Sequence, residues 1–347
     1  MKSKFLYIDV FSLCNLRCPS CVVGDKNRQG RPVPRGLMSP HALGKVLDKA
    51  TAEFTVTGVG FFNWTEPLLH PQIANMISEV SRRGLRCWLS SNLNELRDPE
   101  AIFAARPEEI IVSVSGFCQE IYERGHAGGN IETVKRNMAR LAAARAKLGA
   151  ATSLKLVFHR YADNAKDEAL MREYAASLGF LFNPVWAYVT SVERVMAIRS
   201  GREIYADDNA LLDRLAMPFG EALDIVGQEP MSTCYHKTDR LVIDPKGQVM
   251  LCCASSGHPS NVVGDFLGEP FTEIEERMER HSLCGACMQQ GVPNYFLFSE
   301  TGERGFDEAA QKRRHHHESV CRVPSRSALQ MAPSEARHRR PASESRG

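Results

Sequence analysis

Short apolar runs alternate with stretches of helical periodicity through the first half of the chain, which is the pattern of parallel βα units. Strands are predicted at residues 4–11 (KFLYIDVF), 54–62 (FTVTGVGFF), 86–92 (RCWLSSN), 110–116 (IIVSVSG), 154–159 (LKLVFH) and 181–187 (LFNPVWA). Helical spacing of apolar positions in SPHALGKVLDKATAE, HPQIANMISEVSRRG, IETVKRNMARLAAARAKLG and NAKDEALMREYAASLG predicts the connecting helices, several with an N-cap Ser or Asn and a terminal Gly. Right-handed crossovers curl such a sheet toward a barrel whose strand ends carry the site. The fold class is therefore α/β, with a partial parallel (β/α)6 barrel over residues 1–230.

From about residue 232 the pattern changes. RLVIDPKGQVMLCC reads as a hairpin turning at Pro245-Lys246-Gly247. A helix is expected over FTEIEERMERH, ending at a Cys-Gly-Ala-Cys turn, with a less regular stretch after it. This makes a small second domain over residues 231–321. The tail, residues 322–347, lacks periodicity and aromatics and is predicted to be disordered. The triplet His315 to His317 sits in a basic, polar run and reads as a solvated face rather than a metal site.

The length of 347 residues is consistent with two domains at about 150 residues each. The 43 basic and 41 acidic residues leave a net charge of +2, which excludes a strong electrostatic attraction to nucleic acid or to membranes. The apolar runs fall short of the roughly 18 residues a membrane span requires, and MKSKFLYIDV has no secretory signal pattern, so a cytoplasmic protein is expected.

Eleven cysteines without an export signal do not read as a disulfide framework. Three crowd into CNLRCPSC as Cys14, Cys18 and Cys21, directly after the first strand, and five lie between Cys234 and Cys287. Three thiolates can fix three irons of a [4Fe-4S] cube and leave the fourth open, whereas zinc would want a fourth Cys or His nearby. In the second group the hairpin returns the chain so that Cys234 and Cys252 come near each other, and Cys284-Gly-Ala-Cys287 adds two more thiols. Four thiolates complete a cube with no open iron, and they equally suit zinc. Cys253 is then left over. Alternation along the strand points it away from Cys252. A free thiol can give a hydrogen atom to a carbon radical, or it can pack as a small buried hydrophobe.

The CNLRCPSC triad after strand one resembles the hallmark of the radical SAM superfamily. That resemblance implies a cluster whose open iron is chelated by S-adenosylmethionine, which is cleaved to a 5'-deoxyadenosyl radical that abstracts a hydrogen atom. The family's aromatic before the third cysteine is replaced here by Ser20. NWTEP, at the end of strand two, is similar to the family's Gly-Gly-Glu motif. It implies that Asn63 and Glu66 contact S-adenosylmethionine, with Glu66 on the methionine amino group, although Trp64 and Thr65 stand in place of the glycines. Asn92 in SSN and Ser113 in SVSG resemble the ribose and carboxylate contacts, and Arg124 and His126 are the candidates to clamp the methionine carboxylate. Ser91, His159, Arg160 and Asn183, near predicted strand ends, are weaker substrate candidates.

Cys234-x12-Gly247-x4-Cys252 with the later CxxC resembles the auxiliary-cluster region of the SPASM and Twitch branch, in its shorter, single-cluster form. The resemblance implies that Cys234, Cys252, Cys284 and Cys287 bind a second [4Fe-4S] cluster. Together with the spare Cys253 it looks most like sugar and aminoglycoside epimerases of antibiotic pathways, of the neomycin and avilamycin types. The implied reaction removes a carbinol hydrogen and returns one from Cys253 to the opposite face. Oxidation of a sugar or aminocyclitol, in the manner of 2-deoxy-scyllo-inosamine dehydrogenases, and maturation of a ribosomal peptide are the alternatives. With 13 residues before Cys14, peptide recognition would call for a separate partner. The implied partners are a carbohydrate substrate and an external reductant such as flavodoxin or ferredoxin, with no nucleic acid and no membrane. A cluster-bearing electron carrier without catalysis would not require Glu66.

Overall fold

The structure is a computed structural model that describes residues 2–30, 36–202, 208–227, 233–301, 310 and 313–314. The histidine triplet, Cys321, the 322–347 tail and the expected domain boundary at 230 lie outside these residues. Among the described residues nine strands form one sheet: β1 (Ser3–Ile8), β2 (Thr55–Phe61), β3 (Cys87–Ser91), β4 (Glu109–Val114), β5 (Ser153–Arg160), β6 (Leu181–Trp186), β7 (Arg240–Ile243), β8 (Gln248–Met250) and β9 (Val262–Asp265). Their order is β6-β5-β4-β3-β2-β1-β7-β8-β9. β1 to β6 run parallel, as the alternating pattern predicts.

The hairpin is present, but it does not start a separate sheet. β7 pairs parallel with β1, Phe5 opposite Arg240 through Ile8 opposite Ile243, and β8 and β9 continue antiparallel from it. Three local expectations are corrected. Cys284 and Cys287 lie on a helix, Ser282–Gln289, rather than in a turn, so their i, i+3 spacing puts both thiols on one helix face. The stretch after it holds another helix, Val292–Thr301. β8 stops at Met250, so Cys252 and Cys253 occupy the turn beyond the strand.

One face of the sheet is dry. Leu6, Ile8, Val59, Phe61, Leu89, Val112, Leu156, Leu241 and Ile243 are buried there against Leu43 and Leu47 of the helix Pro40–Glu53, Ile77 of Ile73–Ser81 and Met138 of Ile131–Leu148. Fully burying each such side chain contributes about 1.5–3 kcal/mol. Ser39, Asp98 and Asn130 cap their helices by accepting from Ala42, Ala101 and Thr133 amides at 3.1, 3.0 and 2.8 Å.

The alternate residues point to the other face, which carries the polar chemistry. Phe5, Tyr7, Phe62 and Trp88 pack together at its floor, with ring centroids 5.0–5.5 Å apart for Tyr7 with Phe62, Phe5 with Trp88 and Phe5 with Tyr7. Gly58, opposite Phe5, leaves room for this cluster, because a Cβ there would stand 2.4 Å from the Trp88 ring. Among the described residues no helix is long and apolar enough to cross a membrane.

The helix Val192–Arg199 joins the last barrel strand to the first cysteine loop. Arg194, 0% exposed, donates from Nε to Asp208 Oδ1 at 2.6 Å and from its guanidinium to Pro19 O at 2.8 Å. Arg194→Leu removes a buried cation from the Asp208 carboxylate, and the expected cost is about 3–5 kcal/mol. A fall of that size in the urea-unfolding free energy relative to the parent chain checks it, and an unchanged value refutes it.

Candidate functional site

The first cysteine loop leaves β1 and is held from several sides. Asn27 Nδ2 donates to Cys14 O and Leu16 O at 2.9 and 2.7 Å, and the Arg17 amide donates to Ala127 O at 2.8 Å. Cys21 precedes the helix Val22–Arg28, with the Val23 and Gly24 amides facing its sulfur. A side chain at position 24 would stand 2.4 Å from Cys18 O, so only glycine lets the helix lie this close to the loop. Burial pushes the Cys14 thiol up to about 12, with Glu66 and Cys21 adding to the rise, and holds Cys18 and Cys21 above their ordinary range. Nearby cysteines add to the rise at Cys14 and Cys18, since neighbouring thiolates would repel one another. Three half-buried thiols in this grouping suit a cluster, which would offset the cost of ionising them by binding the thiolates.

Strand-end polar groups meet this loop. Glu66, 3% exposed, accepts from Leu68 N at 3.0 Å and Asn92 N at 2.8 Å, and its own amide donates to Leu13 O at 3.0 Å. Burial pushes its carboxyl up to about 7 against those donors. Asn92 Nδ2 reaches Asn15 Oδ1 at 2.9 Å and Cys14 Sγ at 3.8 Å. Ser113 Oγ lies 3.5 Å from Ser90 Oγ on the neighbouring strand. The structure thus brings Glu66, Asn92 and Cys14 together.

Arg124 and His126 are placed differently. Arg124 pairs with Glu120 and Asp163 at 3.1 and 3.2 Å. His126 is buried, stacks on Tyr122 at 5.0 Å and shares a 2.7 Å hydrogen bond with Ser115 Oγ. Burial drives its pKa down to about 3, so it is neutral. His159 is likewise held down, at about 4, by burial. Arg160 is tied to Glu168 at 2.8 Å, and Ser91 Oγ accepts from Leu93 N at 2.8 Å.

The second cysteine group surrounds a cavity of about 350 Å3 lined by Cys234, Cys252, Cys284 and Cys287, with Lys237 at its rim. Burial raises all four thiols. For Cys252 and Cys287 nearby cysteines add to the rise, while the Lys237 and His236 amides oppose it at Cys234. Among the described residues no three Cys, His, Asp or Glu side chains converge to hold a single ion. The four thiols ring a space, and a soft all-thiolate set around a space suits an iron-sulfur cube.

Cys253 faces elsewhere. It lines a separate cavity of about 150 Å3 with Tyr7, Phe62, Trp64, His236 and Arg240. Its sulfur lies 3.3 Å from His236 Nδ1 and 3.6 Å from an Arg240 guanidinium nitrogen, and that same nitrogen is 2.9 Å from His236 Nδ1. An arginine only donates, so Nδ1 is the accepting nitrogen of His236.

The turn that carries Cys252 and Cys253 is clamped. In the amide orientation that satisfies both of its atoms, Asn63 donates to Cys253 O at 3.1 Å, and Trp64 Nε1 donates to Ser255 O at 3.0 Å. The Val192 amide donates to Ala254 O at 2.9 Å, and Glu193 accepts from Ser256 N and Oγ.

Sequence reasoning missed His236, Arg240 and Asp9. No spacing rule marks His236, but Arg240 opens a strand on the same face as Phe5, and Asp9 is the lone acid at the end of β1. Asp9 accepts from the Trp64 and Thr65 amides at 3.3 Å and from Thr65 Oγ1 at 2.8 Å, fixing the loop after β2.

Comparison with known proteins bears on the fold. No family model matches the sequence. The tungsten-containing aldehyde ferredoxin oxidoreductase cofactor-modifying protein of Pyrococcus furiosus is 33% identical over 95 residues, 27% of this chain and 25% of that protein. The chain thus matches about a quarter of the length of this curated relative. Among solved structures, Streptococcus suis SuiB bound to precursor peptide SuiA superposes with a TM-score of 0.56 at 12% identity, over 83% of this chain and 67% of SuiB. SuiB bound to S-adenosylmethionine gives 0.53 at 13% identity over 84% and 68%. Native anSMEcpe with bound AdoMet gives 0.53 at 12% identity, over 90% of this chain and 99% of that one. The α/β fold is that of the radical SAM structures.

Burial pushes the Asp9 carboxyl up from 3.8 to about 6 against its hydrogen-bond donors. The folded chain therefore holds this proton more tightly than the unfolded one. The stability it contributes is full below the unfolded pKa and is lost as pH rises through about 6, by on the order of 2–3 kcal/mol. Asp9→Asn should remove that part of the slope. Urea midpoints of both chains at about pH 4 and about pH 7 check it, and parallel pH profiles would refute it.

Proposed function

We propose that the chain is a radical SAM enzyme with two [4Fe-4S] clusters that inverts a carbinol centre of a sugar or aminoglycoside, with Cys253 as the hydrogen donor. In this reading Cys14, Cys18 and Cys21 hold the first cluster and Cys234, Cys252, Cys284 and Cys287 the second. Asn63, Glu66, Asn92 and Ser113 surround S-adenosylmethionine. Arg124, paired with Glu120 and Asp163, and His126, bonded through Nδ1 to Ser115, are the further candidates. When bound, the first cluster and S-adenosylmethionine supply a carbon radical that removes the substrate hydrogen.

The observation that carries the reading is that Cys252 and Cys253, adjacent in the chain, open onto different cavities. Cys252 lines the four-thiol cavity, and Cys253 lines the other one beside His236 and Arg240. Aromatic faces of Tyr7, Phe62 and Trp64 suit the apolar face of a sugar ring, and the Arg240 guanidinium can donate to hydroxyls. Hydrogen transfer from Cys253 breaks its S–H bond and forms a C–H bond on the face opposite the one that lost hydrogen. The sulfur radical left behind returns to a thiol by taking up one electron and one proton, the electron coming from a reductant such as flavodoxin or ferredoxin.

A second reading, maturation of a ribosomal peptide, draws support from the likeness to SuiB bound to a precursor peptide. It requires no solvent-exchangeable donor at Cys253.

Cys253→Ala separates the readings. The expected variant keeps about eight irons per chain after anaerobic reconstitution, since four thiols still serve the auxiliary cluster, and it cleaves S-adenosylmethionine but yields no inverted product. In deuterated water the parent chain should place one deuterium at the inverted carbon. Unimpaired turnover of the sugar to a ketone by the variant would mean oxidation instead, and a drop to about four irons would make Cys253 a ligand.

A further inference from the structure

A cavity of about 580 Å3 adjoins the Cys253 cavity and shares Asn63 and Trp64 with it. Its walls come from the helix after the first cysteine loop through Lys26, the end of β1 through Asp9, the hairpin turn through Asp244 and Lys246, and the loop after Cys253 through Gly257. The charges in these walls are not equivalent. Both carboxylates are turned in on donors of the protein: Asp9 on Trp64 and Thr65, and Asp244 on the Lys246 and Gln248 amides at 2.8 and 2.9 Å. The ammoniums are not. Lys26 is half-buried, its Nζ lies 3.9 Å from where a Cβ on Gly257 would stand, and among the described residues no hydrogen bond or ion pair ties it. Lys246 is exposed, and it feels Asp244 through space but makes no ion pair with it.

An ammonium in the wall of a cavity with no acceptor from the protein can take one from an anion that enters it, and its charge favours that anion. Lysine is a compact point charge suited to phosphate oxygens. We propose that this cavity receives a phosphoryl group of the substrate, so that the molecule presented to Cys253 is a phosphorylated or nucleotide-linked carbohydrate. The proposal rests on the reading of the Cys253 cavity as the reacting site.

The test is isothermal titration of the reconstituted holoprotein with inorganic pyrophosphate and with uridine diphosphate, in parallel with S-adenosylmethionine cleavage by the same preparation. Pyrophosphate should bind, more weakly as salt is raised, and Lys26→Ala and Lys246→Ala, on separate elements, should each weaken it about tenfold, with Lys26→Arg and Lys246→Arg restoring it. Tighter binding of uridine diphosphate than of pyrophosphate identifies a nucleotide-linked substrate, and equal binding a simple sugar phosphate. No binding, or binding indifferent to both alanine substitutions, in a preparation that cleaves S-adenosylmethionine overturns the phosphoryl site and leaves the radical reading standing. Lysine-dependent binding in a preparation that cannot cleave it supports the site and removes the radical reading.

Discussion

The parallel pairing of β7 with β1 is the contact on which the rest of the molecule depends. Four residue pairs, Phe5 with Arg240 through Ile8 with Ile243, attach a segment more than two hundred residues distant to the first strand. The Asp9 amide extends the ladder to Ile243 O at 3.1 Å. Because side chains alternate, this register puts Leu241 and Ile243 into the dry core and sends Arg240 and Val242 to the face that Phe5 and Tyr7 share. Everything beyond the hairpin, including the four-thiol cavity and Cys253, is positioned by that choice of register.

The candidate chemistry is gathered by burial rather than by exposed charge. Each thiol group and the Glu66 and Asp9 carboxyls sit where water is largely excluded, and each is held above its ordinary pKa for that reason. Sites of this kind disfavour a bare negative charge and reward a positive partner that arrives with a ligand. The protein supplies amide donors to the carboxylates. It supplies them to Cys21 and Cys234 as well, yet burial still holds these thiols up, so their ionisation would be coupled to whatever cation they bind.

Much of this was legible in the sequence. The six parallel strands appear within a few residues of the predicted positions because apolar alternation and capping residues are local signals. The hairpin was visible through its Pro-Lys-Gly turn. The extension of the barrel sheet by that hairpin was not, since strand pairing across such a distance leaves no periodicity to read. Cys284 and Cys287 looked like a turn because Gly285 separates them, yet tertiary contact overrides that weak helix propensity. His236 and Arg240 were missed for a related reason. Their meeting with Cys253 depends on how the short helix Tyr235–Thr238 packs across the sheet, which a linear spacing cannot express.

The turn from Cys252 to Ser256 has one further consequence. Asn63, Trp64, Val192 and Glu193 grip its backbone and side chains at successive residues, and its two cysteines address separate compartments. Its length is therefore constrained far more tightly than its composition. Inserting or deleting a single residue here would carry both sulfurs out of step with these grips, so the segment should accept substitution more readily than a change in length.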